Sequence, residues 1–305
     1  MARVVVTGAT GLIGSEVVAA LLARGDQVVT LSRDPGRARG RLGAQAEHHA
    51  WPDPKEGPPP AAALAGADGV IHLLGEPIAQ RWTAAAKREI RDSRVLATRS
   101  LVSGLQAQPP HERPSVLVSQ SAAGYYGPRG PEPLSEDGPA GTDFLAGVVV
   151  EWEAEAAKAP AGVRVVTTRT GLVLTSSGGA LGRMLPPFRL GVGGPVAGGE
   201  QYVPWIHRED VVGGLLHCLD RPELAGPVNL TAPAPVTNRE LTRALARTLH
   251  RPAVMPVPAL ALRLLYGEMA VIVTTGQNAR PVALESTGYR FRYPDLGPAL
   301  ADLLR

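Results

Sequence analysis

The residues best suited to chemistry stand at the start of the chain. Glycines at 8, 11 and 14 punctuate TGATGLIG (7–14), directly after the β-branched run RVVVTG (3–8). Gly8 permits a tight turn, Gly11 lets a pyrophosphate reach the backbone, and Gly14 lets a helix pack closely on the strand. A helix opening here offers unpaired N–H groups and the positive end of its dipole to phosphates. A strand before, a helix after and a second strand ending near residue 32 supply the context of a dinucleotide-binding loop. Thr10, Leu12 and Ile13 belong to the same cradle. No Gly-Lys-Ser/Thr follows, so the loop is not a Walker type.

The end of the second strand selects the nucleotide. An acid there binds the ribose 2′-hydroxyl, whereas arginine accommodates a 2′-phosphate. The chain reads LSRDPGRARGR: Ser32 and Arg33 come first, Arg37, Arg39 and Arg41 lie behind, and Asp34 falls one place late. This order predicts NADP(H) rather than NAD. The alternative is a solvated basic helix face.

Other polar residues carry weaker signals. His48 and His49 point to opposite faces of a strand and are not expected to share a metal; no metal site is expected elsewhere. His72 ends a buried strand and reads as a satisfied core histidine. In WIHRED, Asp210 is expected to cap the following helix, and His207 is a lesser catalytic candidate. Arg183, Arg189 and Arg208 flank a glycine-rich segment; they either grip a diphosphate or are surface residues. Phe188, Gln201 and Trp205 are candidate pocket walls.

These groups must be positioned by alternating strands and helices. Strands are predicted at 3–8, 27–32, 69–74, 114–121, 163–174 and 227–231, with a weaker one near 46–52. Helices are predicted at 12–24, 83–107, 143–158, 208–221 and 237–250. The order predicts parallel βαβ units in a doubly wound α/β sheet. Such strands are buried on both faces, which explains their continuous apolar character. After residue 174 the texture changes to crowded glycines. The expected organisation is a Rossmann domain over 1–174, with 207–231 returning to it. A small α+β lobe takes 175–206 and 232–305.

Composition narrows the class. Of 305 residues, 44% are hydrophobic, the net charge is +3, and lysine occurs only at 55, 87 and 158. The arginines are scattered among acids without interleaved aromatics, which argues against nucleic acid. The one cysteine, Cys218, excludes an intrachain disulfide and a Cys-cluster zinc site, and its apolar surroundings predict burial. No apolar run is long enough to span a membrane, and no leader precedes the first strand. The expectation is a cytoplasmic protein with a small-molecule substrate and no nucleic-acid or membrane partner; oligomeric state is unreadable.

With TGATGLIG, VIHLLGE, SQSAAGYYG and PWIHREDV in this order, the chain resembles the extended short-chain dehydrogenase/reductases, the NAD-dependent epimerase/dehydratase family. RWTAAAKREIRDSR, RTGLVL, MLPPFRLGVGGP, GEMA and TGYRFRYPDLGPAL narrow the resemblance to a little-characterised branch, the "epimerase family proteins" with a C-terminal domain of unknown function. The resemblance covers essentially the whole chain. It implies that Leu73 and Leu74 line the adenosine side and that Val173 approaches the nicotinamide. It also implies that Arg94 replaces an asparagine facing the cofactor, with Glu89 about one helical turn before it. Ser121 is the nearest match to the serine that orients the substrate oxygen, with Ser119 its rival. His207 and Asp210 match the junction between the lobes.

One expected feature is missing. In this superfamily a tyrosine moves a proton as hydride moves, and a lysine four residues on lowers its pKa. No Tyr-x-x-x-Lys occurs in the chain. On the helix where the pair belongs stand Phe144 and Val148, in an apolar stripe with Trp152; Lys158 lies too far along. Tyr125 with Arg129 imitates the spacing but lies in a loop with Gly127 and Pro128. Three readings remain. One is an oxidoreductase or isomerase using Tyr125 or Tyr126 as acid/base. Another is a reductase with Ser121 as oxygen donor and a proton from water. The third is a non-catalytic NADPH-binding protein, sensor or structural.

Overall fold

The structure is a computed structural model that describes residues 1–305. In the first half, strands β1 (Arg3–Thr7), β2 (Gln27–Ser32), β3 (Glu47–Ala50), β4 (Gly69–His72) and β5 (Val116–Ala122) alternate with helices. These are α1 (Leu12–Ala23), α2 (Pro35–Leu42), α3 (Ala61–Leu64) and α4 (Ala84–Ala107). The short β6 (Pro133–Leu134), then α5 (Phe144–Ala156) and β7 (Arg164–Thr170), follow. The predicted strand over 163–174 breaks at Gly171, after which β8 (Leu172–Leu174) leaves the main sheet. A Cβ on Gly171 would lie 2.0 Å from the Pro204 carbonyl oxygen, so only glycine lets the two backbones meet.

The second half supplies α6 (Gly179–Arg189), β9 (Tyr202–Val203), β10 (Trp205–His207), α7 (Arg208–Asp220) and β11 (Gly226–Leu230). It continues through β12 (Val236–Thr237), α8 (Asn238–Leu249), α9 (Ala259–Tyr266), α10 (Val271–Thr274), β13 (Asn278–Ala279), α11 (Val282–Ser286) and α12 (Leu296–Leu303). Helix α8 opens with a reciprocal capping box between Thr237 and Glu240, which satisfies two backbone donors at once.

The main sheet has the order β11-β7-β5-β4-β1-β2-β3, with every pairing parallel. The winding reverses between β1 and β4, so a crevice opens beyond their C-terminal ends. Alternate residues go to opposite faces. Val4, Val6, Ile71 and Val118 pack with Val17 and Leu215 on one side. Val5, Val29, Val70 and Leu117 pack with Leu101 and Leu105 on the other. Each such side chain contributes about 1.5–3 kcal/mol on burial. A third core, including Leu181, Leu185, Trp205, Leu245 and Leu300, holds the C-terminal lobe together.

Candidate cofactor and active site

The glycine turn is sterically obligatory. Gly8 has φ +64°, and a Cβ there would sit 2.6 Å from the Leu73 carbonyl oxygen. A Cβ on Gly14 would sit 2.2 Å from the carbonyl oxygen of Gly8. Gly11 is the N-cap of α1 and provides no side-chain cap. The first-turn amides, those of Leu12 and Ile13 included, therefore depend on a ligand or water. Thr10 is half-buried beside them. The loop at Gly178 and Gly179 passes near this turn: a Cβ added to them would lie 3.9 and 3.7 Å from the Leu12 methyls.

At the end of β2, Ser32 Oγ is out of water and has no hydrogen-bond partner. Asp34 is already engaged: it is the N-cap of α2, and its Oδ1 accepts the Arg37 amide at 3.0 Å. Arg33 and Arg37 are exposed. An unsatisfied hydroxyl beside two arginines, with the local acid engaged, fits a phosphate better than a ribose diol.

The end of β4 is braced by a buried polar chain. Thr7 Oγ1 accepts the Leu73 amide at 3.1 Å and lies 2.8 Å from His72 Nδ1. His72 Nε2 lies 3.0 Å from Thr98 Oγ1, which also accepts the Trp152 indole N–H at 2.9 Å. Burial pushes His72 down to about 3, so it is neutral and structural, as the sequence suggested. Leu73 and Leu74 are half-buried at the crevice, and Val173 is half-buried in β8. Arg94 donates to the carbonyls of Ile90 and Glu76, each at 2.9 Å, and its guanidinium packs against Gly75 and over the Trp152 ring. Burial lowers its pKa to about 10. These contacts make Arg94 a brace of the loop after β4. Glu89 is held at 3.0 Å by Lys55.

The catalytic candidates fare differently from one another. Ser121 is buried, and its hydroxyl donates to Glu153 Oε1 at 2.5 Å. Tyr126 is fully buried; its hydroxyl meets Asn229 Oδ1 at 2.7 Å and the Ser135 carbonyl at 3.0 Å. Burial raises its pKa against the opposing effect of Arg169. Both hydroxyls are thus engaged by groups of the protein itself, whereas Ser119, the rival serine, is buried with an unpartnered hydroxyl. Tyr125 alone is half-exposed. Its ring lies under the Arg169 guanidinium, 3.4 Å from Cζ to centroid, and edge-on to Tyr126.

The hub of this region is a pair that the sequence reading missed. Arg169 on β7 holds Glu153 on α5 through two 2.9 Å hydrogen bonds, and also donates to the Glu136 carbonyl at 2.8 Å and the Tyr126 hydroxyl at 3.2 Å. Burial works against the arginine's charge, but the Glu153 hydrogen bonds outweigh it and raise its pKa. An arginine inside the strand TTRTG and an acid inside the apolar helix VVVEWE were the available signal.

The Phe144 stripe is equally settled. Phe144 stands edge-on to Trp82 with centroids 5.3 Å apart, and Lys87 Nζ lies 5.1 Å from its ring centroid. Lys87 pairs with Glu268 of the C-terminal lobe. Val148 is buried, and Lys158 pairs with Glu155 at 3.0 Å near the end of α5.

Several remaining expectations need correction. His207, not Asp210, caps α7, accepting the Glu209 amide at 3.2 Å. It is fully buried, with its ring 3.9 Å from that of Tyr293. Asp210 instead accepts the amides of Arg292 and Tyr293 at 2.7 and 2.9 Å, tying the C-terminal segment to α7. Phe188 and Trp205 are core residues of the lobe rather than pocket walls. Gln201 is half-exposed and donates to the carbonyls of Val196 and Val273. Arg183 is spent on the Ala79 carbonyl at 2.9 Å and Arg208 on Glu16 at 3.3 Å, leaving Arg189 exposed. Cys218 is buried, and burial pushes its thiol up to about 12. His48 bonds Thr30 at 2.7 Å, and His49 bonds Glu47 at 2.5 Å.

Comparison with known proteins follows the same lines. Residues 4–230 match the NAD dependent epimerase/dehydratase family, and residues 257–303 match a domain of unknown function, DUF1731. An epimerase family protein of Mycobacterium bovis is 41% identical over 302 residues, 98% of this chain and 96% of that one. The chloroplastic SDR39U1 homologue of Arabidopsis thaliana is 38% identical over 307 residues, 98% of this chain and 86% of that one. The crystal structure of human epimerase family protein SDR39U1 (isoform 2) with NADPH superposes with a TM-score of 0.88 at 34% identity. It covers 99% of this chain and 98% of the human one. These matches bear out the resemblance drawn from the motifs and the doubly wound fold with its added lobe.

Proposed function

The chain belongs to the NAD dependent epimerase/dehydratase family, and from that premise we propose that it is an NADP(H)-dependent oxidoreductase or isomerase. Its substrate is a carbonyl or sugar-like small molecule. The observation that carries the nucleotide choice is Ser32: its buried, unpartnered hydroxyl stands beside exposed Arg33 and Arg37 while Asp34 is held in the α2 cap. Human SDR39U1, solved with NADPH, supports the same choice.

The Gly8–Gly14 turn and the open first turn of α1 would hold the pyrophosphate. Ser32, Arg33 and Arg37 would hold the 2′-phosphate, and Leu73, Leu74 and Val173 would form apolar walls. The bound nicotinamide supplies or accepts a hydride. Tyr125 would exchange the accompanying proton, since it is the one catalytic candidate that is not buried. Arg169 above its ring steadies its position through a cation–π contact.

Fluorescence titration with NADPH and NADH tests the nucleotide; equal or tighter NADH binding sinks the 2′-phosphate argument. Oxidation of bound NADPH across a panel of carbonyl compounds and nucleotide sugars tests the chemistry. Turnover lost in Tyr125→Phe with unchanged NADPH affinity supports the assignment; undiminished turnover removes it.

A second reading is favoured by the buried commitments of Ser121 and Tyr126 and by the apolar Phe144 stripe. It is a non-catalytic NADPH-binding protein, and it predicts tight NADPH binding with no oxidation by any compound of the panel.

A further inference from the structure

Helix α9 reads ALALRLLY, and none of its residues is buried. Leu260 is 68% exposed and Leu264 76% exposed. Beside it Val254 is 76% and Leu190 79% exposed, with Met255 and Val192 also open. The pieces are tied into one surface: the Met255 amide donates to the Gly193 carbonyl at 3.2 Å, the Val257 amide to that of Pro195 at 2.9 Å, and Gly191 lies against the Pro252 ring. A helix that is apolar on nearly every side is normally buried, and a large contiguous exposed patch marks an interaction surface.

Charge selects the occupant. No aspartate or glutamate occurs in 179–199 or in 241–267. Arg189, Arg251 and Arg263 are exposed on the same segments. A second copy meeting this patch about a two-fold axis would set the patch against itself. Arginine would then face arginine, because the acids bordering these segments, Glu200 and Glu268, are already paired with Arg239 and Lys87. An anionic lipid surface satisfies both features, because apolar side chains enter the headgroup–acyl boundary and the arginines meet lipid phosphates. No helix is long and apolar enough to cross a membrane, so the contact lies on the surface.

We propose that α9, with residues 189–194 and 251–258, seats the protein on an anionic membrane surface. The seat is joined to the candidate site. The turn Gly267–Ala270 that follows α9 buries Met269 against Trp82 and Ile90, and Glu268 in it pairs with Lys87 beside Phe144.

The test is co-sedimentation of the full chain with vesicles of phosphatidylcholine alone or mixed with phosphatidylglycerol. The expected result is binding to the mixed vesicles, weaker by on the order of tenfold or more without the anionic lipid and released by salt. The double variant Leu260→Glu, Leu264→Glu should lose binding while its NADPH affinity stays that of the parent. No sedimentation with either vesicle overturns the proposal, as does binding unchanged in the double variant. A concentration-dependent dimer in sedimentation velocity that the same variant dissolves, without vesicle binding, also overturns it and assigns the face to a second copy.

Discussion

At the β1–β2 end of the candidate site, the α1 amides, Ser32 Oγ and the arginines behind it lack internal partners. At the β5–β7 end, Ser121, Tyr126, Glu153 and Arg169 satisfy one another. An unpaired buried donor costs about 1–3 kcal/mol. The first end therefore carries a standing preference for a ligand, whereas at the second only the Ser119 hydroxyl is left without a partner. Where the superfamily's chemistry would be done, this chain has invested its polar groups in the fold, and Tyr125 joins them through its ring rather than through its hydroxyl.

Four experiments can break or sharpen that contrast. The largest effect is expected from Arg169→Met, which strands the Glu153 carboxylate. Removing one member of a buried pair costs about 3–5 kcal/mol, read as a shift in the urea unfolding midpoint. A loss under about 1 kcal/mol would mean that this end is not held by its network.

Gly14→Ala attacks the open end. Its Cβ must displace the Gly8 carbonyl, with an overpacking cost of about 1–3 kcal/mol and loss of NADPH binding by fluorescence. Retained affinity would remove the turn from the phosphate site.

The polar brace between the two ends gives a pH dependence. His72 sits at about 3 in the folded chain against roughly 6.5 when unfolded. The unfolded chain then takes up the proton first. Stability should fall as pH drops below about 6.5, approaching about 1.4 kcal/mol per pH unit from this group, until about 3. Burial lowers His207 and His217 in the same direction. Denaturant curves at pH 7 and 5 should show a smaller difference in His72→Leu than in the parent; an unchanged difference would reassign the acid sensitivity.

The smallest effect belongs to Arg33→Ala. Losing one charge-assisted contact to phosphate should weaken NADPH by about tenfold and leave NADH unchanged. Equal losses for both nucleotides would place Arg33 away from the 2′-phosphate.

The strands of the main sheet were legible because burial on both faces gives unbroken β-branched runs between turn residues. Helix α6 was not, since glycines and an internal Pro186–Pro187 pair argue against a helix by propensity alone. The cap of α7 was misplaced by three residues. Asp210 is the better capping residue type, but backbone amides of residues 292 and 293 claimed its carboxylate. That α9 is left uncovered by its own chain shows only in the structure, since an apolar helix by itself reads as a core element.

What the sequence alone determined is the glycine turn, the order around Ser32–Asp34 and the absence of a Tyr-x-x-x-Lys pair. All three depend on neighbours a few residues apart, within the reach of one turn or one helix face. Only the tertiary structure decided which polar groups remain open. Ser121 meets Glu153 across 32 residues, and Tyr126 meets Asn229 across 103. A hydroxyl's availability is a property of what the fold packs against it, and no local spacing encodes that.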